Sequence, residues 1–226
     1  MKLLEDVYLE PEKILEVLNF RHACKKFDPD KKILEKHWDV ILESGRLSPS
    51  SFGLEPWKFL VIQNPKMREE LIPACWGAKT QFLTASHVVA ILARKNVRWD
   101  SEYLLSHMKE VRKLDAESIK SRIERIRSFQ ETQFELLSSP TALWEWSVRQ
   151  SYIALANMMT IAALLKIDSC AIEGFNRKNA QEIIKNWYDV SWDEWGLAAF
   201  VAFGYRVENP GKKARWPREK VIDQIE

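Results

Sequence analysis

The seven glycines stand at positions 45, 53, 77, 174, 196, 204 and 211, no two closer than seven residues. That is about half the usual frequency of roughly 7%. A G-x-G-x-x-G dinucleotide turn, a P-loop and a G-x-S-x-G nucleophile elbow all need glycines set closer together, so none can be present. Any nucleotide or phosphate held by this chain must be gripped by side chains and helix ends.

At 226 residues, 46% hydrophobic and 29% charged, the composition is that of a globular protein. It excludes disordered, collagen-like and disulfide-scaffold classes, and a chain this long is expected to bury roughly 70% of its unfolded surface. Thirty-four basic against 32 acidic residues leave a net charge of +2, so no global field points to nucleic acid or membrane as a partner. Three separated cysteines (Cys24, Cys75, Cys170) offer neither a disulfide framework nor C-x-x-C, and read best as buried small hydrophobes. Four scattered histidines (His22, His37, His87, His107) form no compact zinc motif, so no metal is expected. The opening MKLLEDVYLEPEK turns acidic before an apolar run forms, and the apolar stretch 153–165 is too short to span a bilayer. A soluble, cytoplasmic protein is expected.

Periodicity predicts a helix at 11–20 with Ile14, Leu15 and Leu18 on one face. A second runs from about 34, with Leu34, Trp38, Ile41 and Leu42 aligned and Gly45 ending it. Strands are predicted at 57–62, 87–93, 168–172 and 197–203, with helices at 65–74 and 177–188. The longest helix runs from Pro140 to about 166. Between 101 and 138 lies a charged segment with helical stripes at Leu104, Leu105, Met108 and Val111 and at Ile119, Ile123 and Ile126. It reads either as a hairpin packed on the body or as a lid. The chain, 1–226, is read as a single α+β domain. Trp144 and Trp146, two apart on the long helix, cannot share a face, so one of them is expected to point outward.

Four segments concentrate chemistry. Arg21-His22-Ala23-Cys24-Lys25-Lys26-Phe27-Asp28 packs cationic and titratable groups together, though alone it could be a solvated loop. Ser48-Pro49-Ser50-Ser51-Phe52-Gly53-Leu54-Glu55-Pro56-Trp57 offers hydroxyls before a strand, or simply a turn. Ile172-Glu173-Gly174-Phe175 lets backbone approach a ligand closely, or makes a bend. Lys212-Lys213-Ala214-Arg215-Trp216-Pro217, if extended, sets two cationic heads on one side, or is a surface tail.

In this order the strings RHACKKFD, SPSSFGLEPWKF, TASHVV, RQSYIALANM, IEGF and KKARWP resemble the nitroreductase family of flavoproteins over essentially the whole chain, from about residue 15. The resemblance implies an α+β sandwich with a mixed central sheet flanked by helices, an intertwined homodimer, and one FMN per subunit reduced by NAD(P)H. It implies that Arg21, Lys213 and Arg215 grip the flavin phosphate and that Lys25 sits at the pyrimidine end of the ring. His22 and Ala23 would line the same segment through backbone, and Gln81 would bond the pyrimidine edge. Pro49, Ser50 and Ser51 would reach the flavin from the other subunit, and Glu173 and Gly174 would border the hydride-accepting edge. No side chain is expected to act as a covalent catalyst. Where relatives often carry Ser, Gln and Asn, this chain has Ala23, Glu55 and Ala78. The implied activity is two-electron, ping-pong reduction of small flat nitroaromatics or quinones. The alternatives are a related flavoenzyme doing reductive dehalogenation or flavin fragmentation, or a non-catalytic binding protein.

Overall fold

The computed structural model describes residues 9–225; residues 1–8, which hold most of the acidic opening weighed above, and residue 226 lie outside the described residues. Two buried strands, β2 (His87–Arg94) and β4 (Trp195–Gly204), form the centre of a four-stranded sheet. β1 (Trp57–Val61) lies outside β2 and β3 (Asp168–Ile172) outside β4, giving the order β1-β2-β4-β3. All three ladders are antiparallel. Among the described residues the parallel pairing is confined to one bridge, Ala23 to Ser169, so the mixed sheet expected above is within this chain an antiparallel sheet with a single parallel contact.

β2 is apolar on both faces because helices cover both. Val88, Ala90 and Leu92 join Phe200 and Ala202 in a layer with α3 (Pro65–Leu71), α4 (Lys79–Thr84) and α8 (Arg177–Lys185). The alternate residues Val89, Ile91 and Ala93 join Ala199, Val201 and Phe203 against α2 (Glu35–Arg46) and α7 (Ala142–Leu164). This two-residue alternation is what a strand sandwiched between helical layers requires. Trp38 packs in the second layer, its ring stacked on His87 with centroids 4.0 Å apart. α1 (Pro11–Phe20) starts on its proline as predicted, yet buries none of its residues.

The charged segment forms α5 (Glu102–Ser106) and α6 (Ala116–Ser128), each extended by a wider π turn. Ser101 and Asp115 cap the two helices by accepting from the Leu104 and Ser118 backbone N–H groups. Leu104, Met108, Ile119 and Ile126 bury a third cluster with Leu54, Leu143 and Trp146. Val111, expected on the stripe, is exposed.

Two expectations need correction. Trp144 and Trp146 do point in different directions, but both are buried. α7 is flanked by the sheet, which takes Trp144, and by the α5–α6 cluster, which takes Trp146. Gly45 lies inside the last turn of α2 rather than ending it: a Cβ there would sit 2.8 Å from Met158 Sδ, so the glycine serves the approach of α2 to α7.

Gly196 does the same for β4. An added Cβ would lie 2.5 Å from Trp144 Nε1 and 2.7 Å from its Cε2, and Arg177 covers that ring at 4.3 Å. Gly196→Ala is therefore expected to destabilise the fold by about 1–3 kcal/mol, as overpacking does. A thermal melt reads this, and an unchanged midpoint would show that the indole moves aside freely.

Candidate active site

The segment after α1 runs alongside β3: Cys24 N–H donates to the Ser169 carbonyl at 3.1 Å, and Ala23 bridges Ser169. Its position is fixed by a buried ion pair. Asp168 accepts from Arg206 Nε at 2.7 Å and from the Arg206 backbone N–H at 2.9 Å. The same guanidinium donates to the Phe20 carbonyl at 2.7 Å and lies 4.2 Å from the Phe20 ring centroid. The pair thus ties the start of β3, the end of β4 and the last turn of α1 together, and Arg21 follows at once. Beside it His22, Ala23, Cys24 and Lys25 line a cavity of about 220 Å³ with Asp168 and Arg206.

Three cations meet at the end of this segment. Lys213 Nζ donates to the carbonyls of Leu18 and Arg21, which lays the C-terminal tail along α1. Burial and the Arg21 and Arg215 charges hold the Lys213 ammonium below the usual lysine range. Among the described residues none of the three has an ion-pair partner. Like charges gathered without a carboxylate repel, and an anion relieves them.

A second group lies along β3. Cys170 Sγ receives Lys25 Nζ at 4.0 Å and Gln81 Nε2 at 3.8 Å, and Gln81 also donates to the Gly77 carbonyl at 3.2 Å. Gly77 in turn donates its N–H to Gly174 at 3.0 Å. A Cβ on Gly174 would stand 3.1 Å from Gly77 Cα, so the close approach that Gly174 permits is to this backbone. Glu173 is exposed, and its carboxylate accepts from the Tyr152 hydroxyl of α7. Burial and this carboxylate push the Tyr152 phenol well above the ordinary tyrosine range. Two polar atoms nearby are buried without partners, His22 Nε2 on the segment after α1 and Ser169 Oγ on β3. Buried polar groups ordinarily find partners, and a polar ligand is one way to supply them.

Nine of the twelve residues singled out by sequence therefore fall into two groups joined by one segment: Arg21, Lys213 and Arg215, then His22, Ala23, Lys25, Gln81, Glu173 and Gly174. Pro49, Ser50 and Ser51 lie elsewhere, and among the described residues no hydrogen bond joins them to either group. Ser51 N–H donates to Gln150 of α7 at 2.9 Å, and Ser50 Oγ accepts from Glu55 N–H at 2.9 Å. The next residues turn through positive φ: Phe52 at 56° and Glu55 at 48° are strained there, and Gly53 at 60° is not. The α5–α6 excursion grips this turn. Tyr103 donates to the carbonyls of Leu54 and Glu55, Arg112 to that of Gly53 and Arg122 to that of Phe52. Glu55 itself faces His107 at 3.6 Å.

Sequence reasoning missed Cys170, Tyr152 and the Asp168–Arg206 pair. Each acts through a partner far along the chain, and no local pattern marks it. The cysteines are free and buried as expected; burial pushes the Cys75 thiol up to about 12 and the Cys24 thiol to about 11, which makes both inert. Among the described residues no group of three or more His, Cys, Asp or Glu is arranged to hold a metal, and no helix is long and apolar enough to cross a membrane.

Solved structures place this architecture in the nitroreductase-like α+β class. A nitroreductase structure from Exiguobacterium sibiricum, solved in complex with FMN, superposes with a TM-score of 0.74 at 19% identity, covering 97% of this chain and 99% of that one. A Bacillus subtilis structure in the same class gives 0.78 at 16% identity, covering 96% and 100%. In sequence, the profile described as the Nitroreductase family matches residues 18–205. A Staphylococcus haemolyticus protein provisionally named an NAD(P)H nitroreductase is 48% identical over 214 residues, 95% of this chain and 98% of its own. A Bacillus subtilis protein with the same provisional name is 44% identical over 214 residues, 94% and 97% of the two chains. The chain belongs to the nitroreductase family.

Proposed function

We propose that the protein is an FMN-dependent oxidoreductase that takes two electrons from NAD(P)H and passes them, by a ping-pong sequence, to nitroaromatics or quinones. The reading is of a cytoplasmic homodimer. The observation that carries it is the cluster of Arg21, Lys213 and Arg215, three cations with no carboxylate among the described residues, set one segment away from Lys25 and Gln81. A dianionic phosphate held without a glycine cradle needs about two or three charge-assisted partners, and the two arginines and the lysine supply them. The FMN in the Exiguobacterium structure supports the same ligand, and the provisional names of the relatives support NAD(P)H as the electron donor.

When bound, the flavin supplies the two-electron chemistry. The chain's own residues supply position and field. Arg21, Lys213 and Arg215 would fix the phosphate end. Lys25 would place positive charge beside the pyrimidine edge, where negative charge gathers on reduction. Gln81, whose amide nitrogen is held by the Gly77 carbonyl and Cys170, would set its amide beside the same edge, where the Ala78 side chain can offer no hydrogen bond. The orphaned His22 Nε2 lies on the same segment as Lys25, and the orphaned Ser169 Oγ on β3 beside it. Tyr152 holds the Glu173 carboxylate at the rim, where the nicotinamide and acceptor would enter in turn.

Pro49, Ser50 and Ser51 of the partner subunit would close the site. The dimer is supported by apolar surface that this chain leaves bare. α1 exposes Leu15 at 59% and Leu18 at 45%, and the tail exposes Trp216 at 77% and Ile225 at 99%. The α5–α6 excursion would act as a fixed wall, since its own buried cluster and its grip on residues 52–55 leave it no loose hinge.

The test is a visible spectrum of the purified protein followed by anaerobic NADPH or NADH. Flavin bands are expected, to bleach on adding the nicotinamide and to return on adding a nitroaromatic or quinone. A colourless protein that FMN cannot reconstitute would sink the reading. Bleaching with no return on either acceptor would leave the flavin and overturn the substrate class.

A further inference from the structure

Away from these groups, a cavity of about 380 Å³ opens between the start of β2, α3 and the segment before α2. Its lining includes Lys32, Gln63, Arg68, Glu69, Ser86 and His87, none of which belongs to the site above. Arg68 is only 8% exposed and, among the described residues, has no carboxylate partner. Neutral oxygens alone hold its guanidinium: the carbonyls of Ile62 at 2.7 Å, Ala85 at 2.8 Å and Ser86 at 3.3 Å, and the Gln63 side-chain oxygen. These bonds fix the fork in place and leave its charge unneutralised. A buried charge in that condition is costly, and a counter-charge relieves it.

The other polar groups on the lining are donors as well. Ser86 Oγ accepts from the Ile33 N–H at 2.9 Å and pairs with His87 Nδ1 at 3.0 Å, to which it can give its own proton. In that tautomer the imidazole proton stands on Nε2. Burial, with the Arg68 and Lys32 charges adding to it, pushes His87 down to about 4, so the ring is neutral at pH 7. Gln63 gives its oxygen to Arg68, and among the described residues its amide N–H groups have no partner. Lys32 adds an exposed ammonium. The one acid on the lining, Glu69, is exposed and pairs with neither cation. Trp38 covers one face of the His87 ring and contributes no charge.

We propose that this cavity binds a small oxyanion, a phosphate or carboxylate group, neutralised by Arg68 and Lys32 and bonded by the N–H donors of Gln63 and His87. The volume accommodates such a group together with a modest organic body.

The test follows the His87 ring by NMR in FMN-loaded protein, so that the Arg21–Lys213–Arg215 cluster is already occupied. Sodium phosphate and sodium acetate are titrated separately, with ionic strength held constant by chloride. The expected result is a saturable shift with at least one of them, accompanied by a rise of about one unit in the His87 pKa, because a bound anion favours the charged ring. Saturation by phosphate alone assigns a phosphate group, and saturation by acetate assigns a carboxylate. Lys32→Ala, a surface change, is expected to weaken the binding about fivefold and to leave NADPH oxidation unchanged. No saturable shift with either anion, or identical curves for the parent and Lys32→Ala, would overturn the proposal.

Discussion

Arg215→Gln is expected to lower FMN affinity roughly ten- to a hundredfold, the worth of one charge-assisted phosphate contact, while leaving the melting temperature of the flavin-free protein unchanged. Arg215 is exposed, and its side chain bonds nothing beyond the neighbouring Ala214 carbonyl, so its removal breaks no tertiary contact. Lys213→Met is expected to lower affinity by a similar factor with a different signature. Lys213 also bridges the Leu18 and Arg21 carbonyls, so its loss frees the tail and lowers the melting point modestly. Fluorescence titration of the flavin-free protein with FMN reads the first effect and thermal denaturation the second. If Arg215→Gln bound FMN as tightly as the parent, the phosphate would have to sit elsewhere.

Asp168→Ala is expected to produce the larger loss of stability, about 3–5 kcal/mol, because it strands Arg206 as an uncompensated, mostly buried cation. For a chain of this size that is a fall of roughly 10 °C in melting temperature. Asp168 is 4% exposed and accepts from Arg206 through both side-chain oxygens. Flavin binding should weaken alongside, since Arg206 also holds the Phe20 carbonyl one residue before Arg21. Asp168→Asn keeps an acceptor and the shape, and should retain part of both. Urea denaturation of the three proteins separates these outcomes. Equal midpoints for Asp168→Ala and the parent would mean that the pair carries no net stabilisation.

What the sequence disclosed follows from what local pattern can encode. β2 and β4 were visible because strands covered on both faces read as unbroken apolar runs, and α3 because Asn64 and Pro65 set up its first turn. The strings proposed to hold phosphate were visible because anion chemistry without glycine turns must concentrate Arg and Lys in short segments. Misreadings arose where the third dimension decides. A glycine near a helix end resembles a terminator, and only the proximity of Met158 shows that Gly45 is there for packing. The argument that separated Trp144 from Trp146 assumed one buried layer beside α7, whereas there are two. Asp168 and Arg206 stand 38 residues apart, and each is ordinary in its own neighbourhood. Nor does any short-range feature mark Arg68, whose partners are mainly backbone oxygens that become neighbours only when α3 folds onto the ends of β1 and β2.

The ladder between β2 and β4 joins His87 to Phe203 and Arg94 to Trp195, segments separated by most of the second half of the chain. Such distant pairing is slow to form, because loop closure precedes any reward from contact. On the ribosome β2 emerges with β1 as its only strand neighbour, and its other edge stays bare until residues 195–204 appear. Arg21 leaves the exit tunnel among the first residues, but Lys213 and Arg215 are among the last. The cationic clasp is therefore completed only when synthesis is nearly done. A chain ending before residue 213 would carry the whole sheet and still lack two of the three cations proposed to hold the phosphate, so in the proposed holoenzyme the flavin's yellow colour would report finished chains.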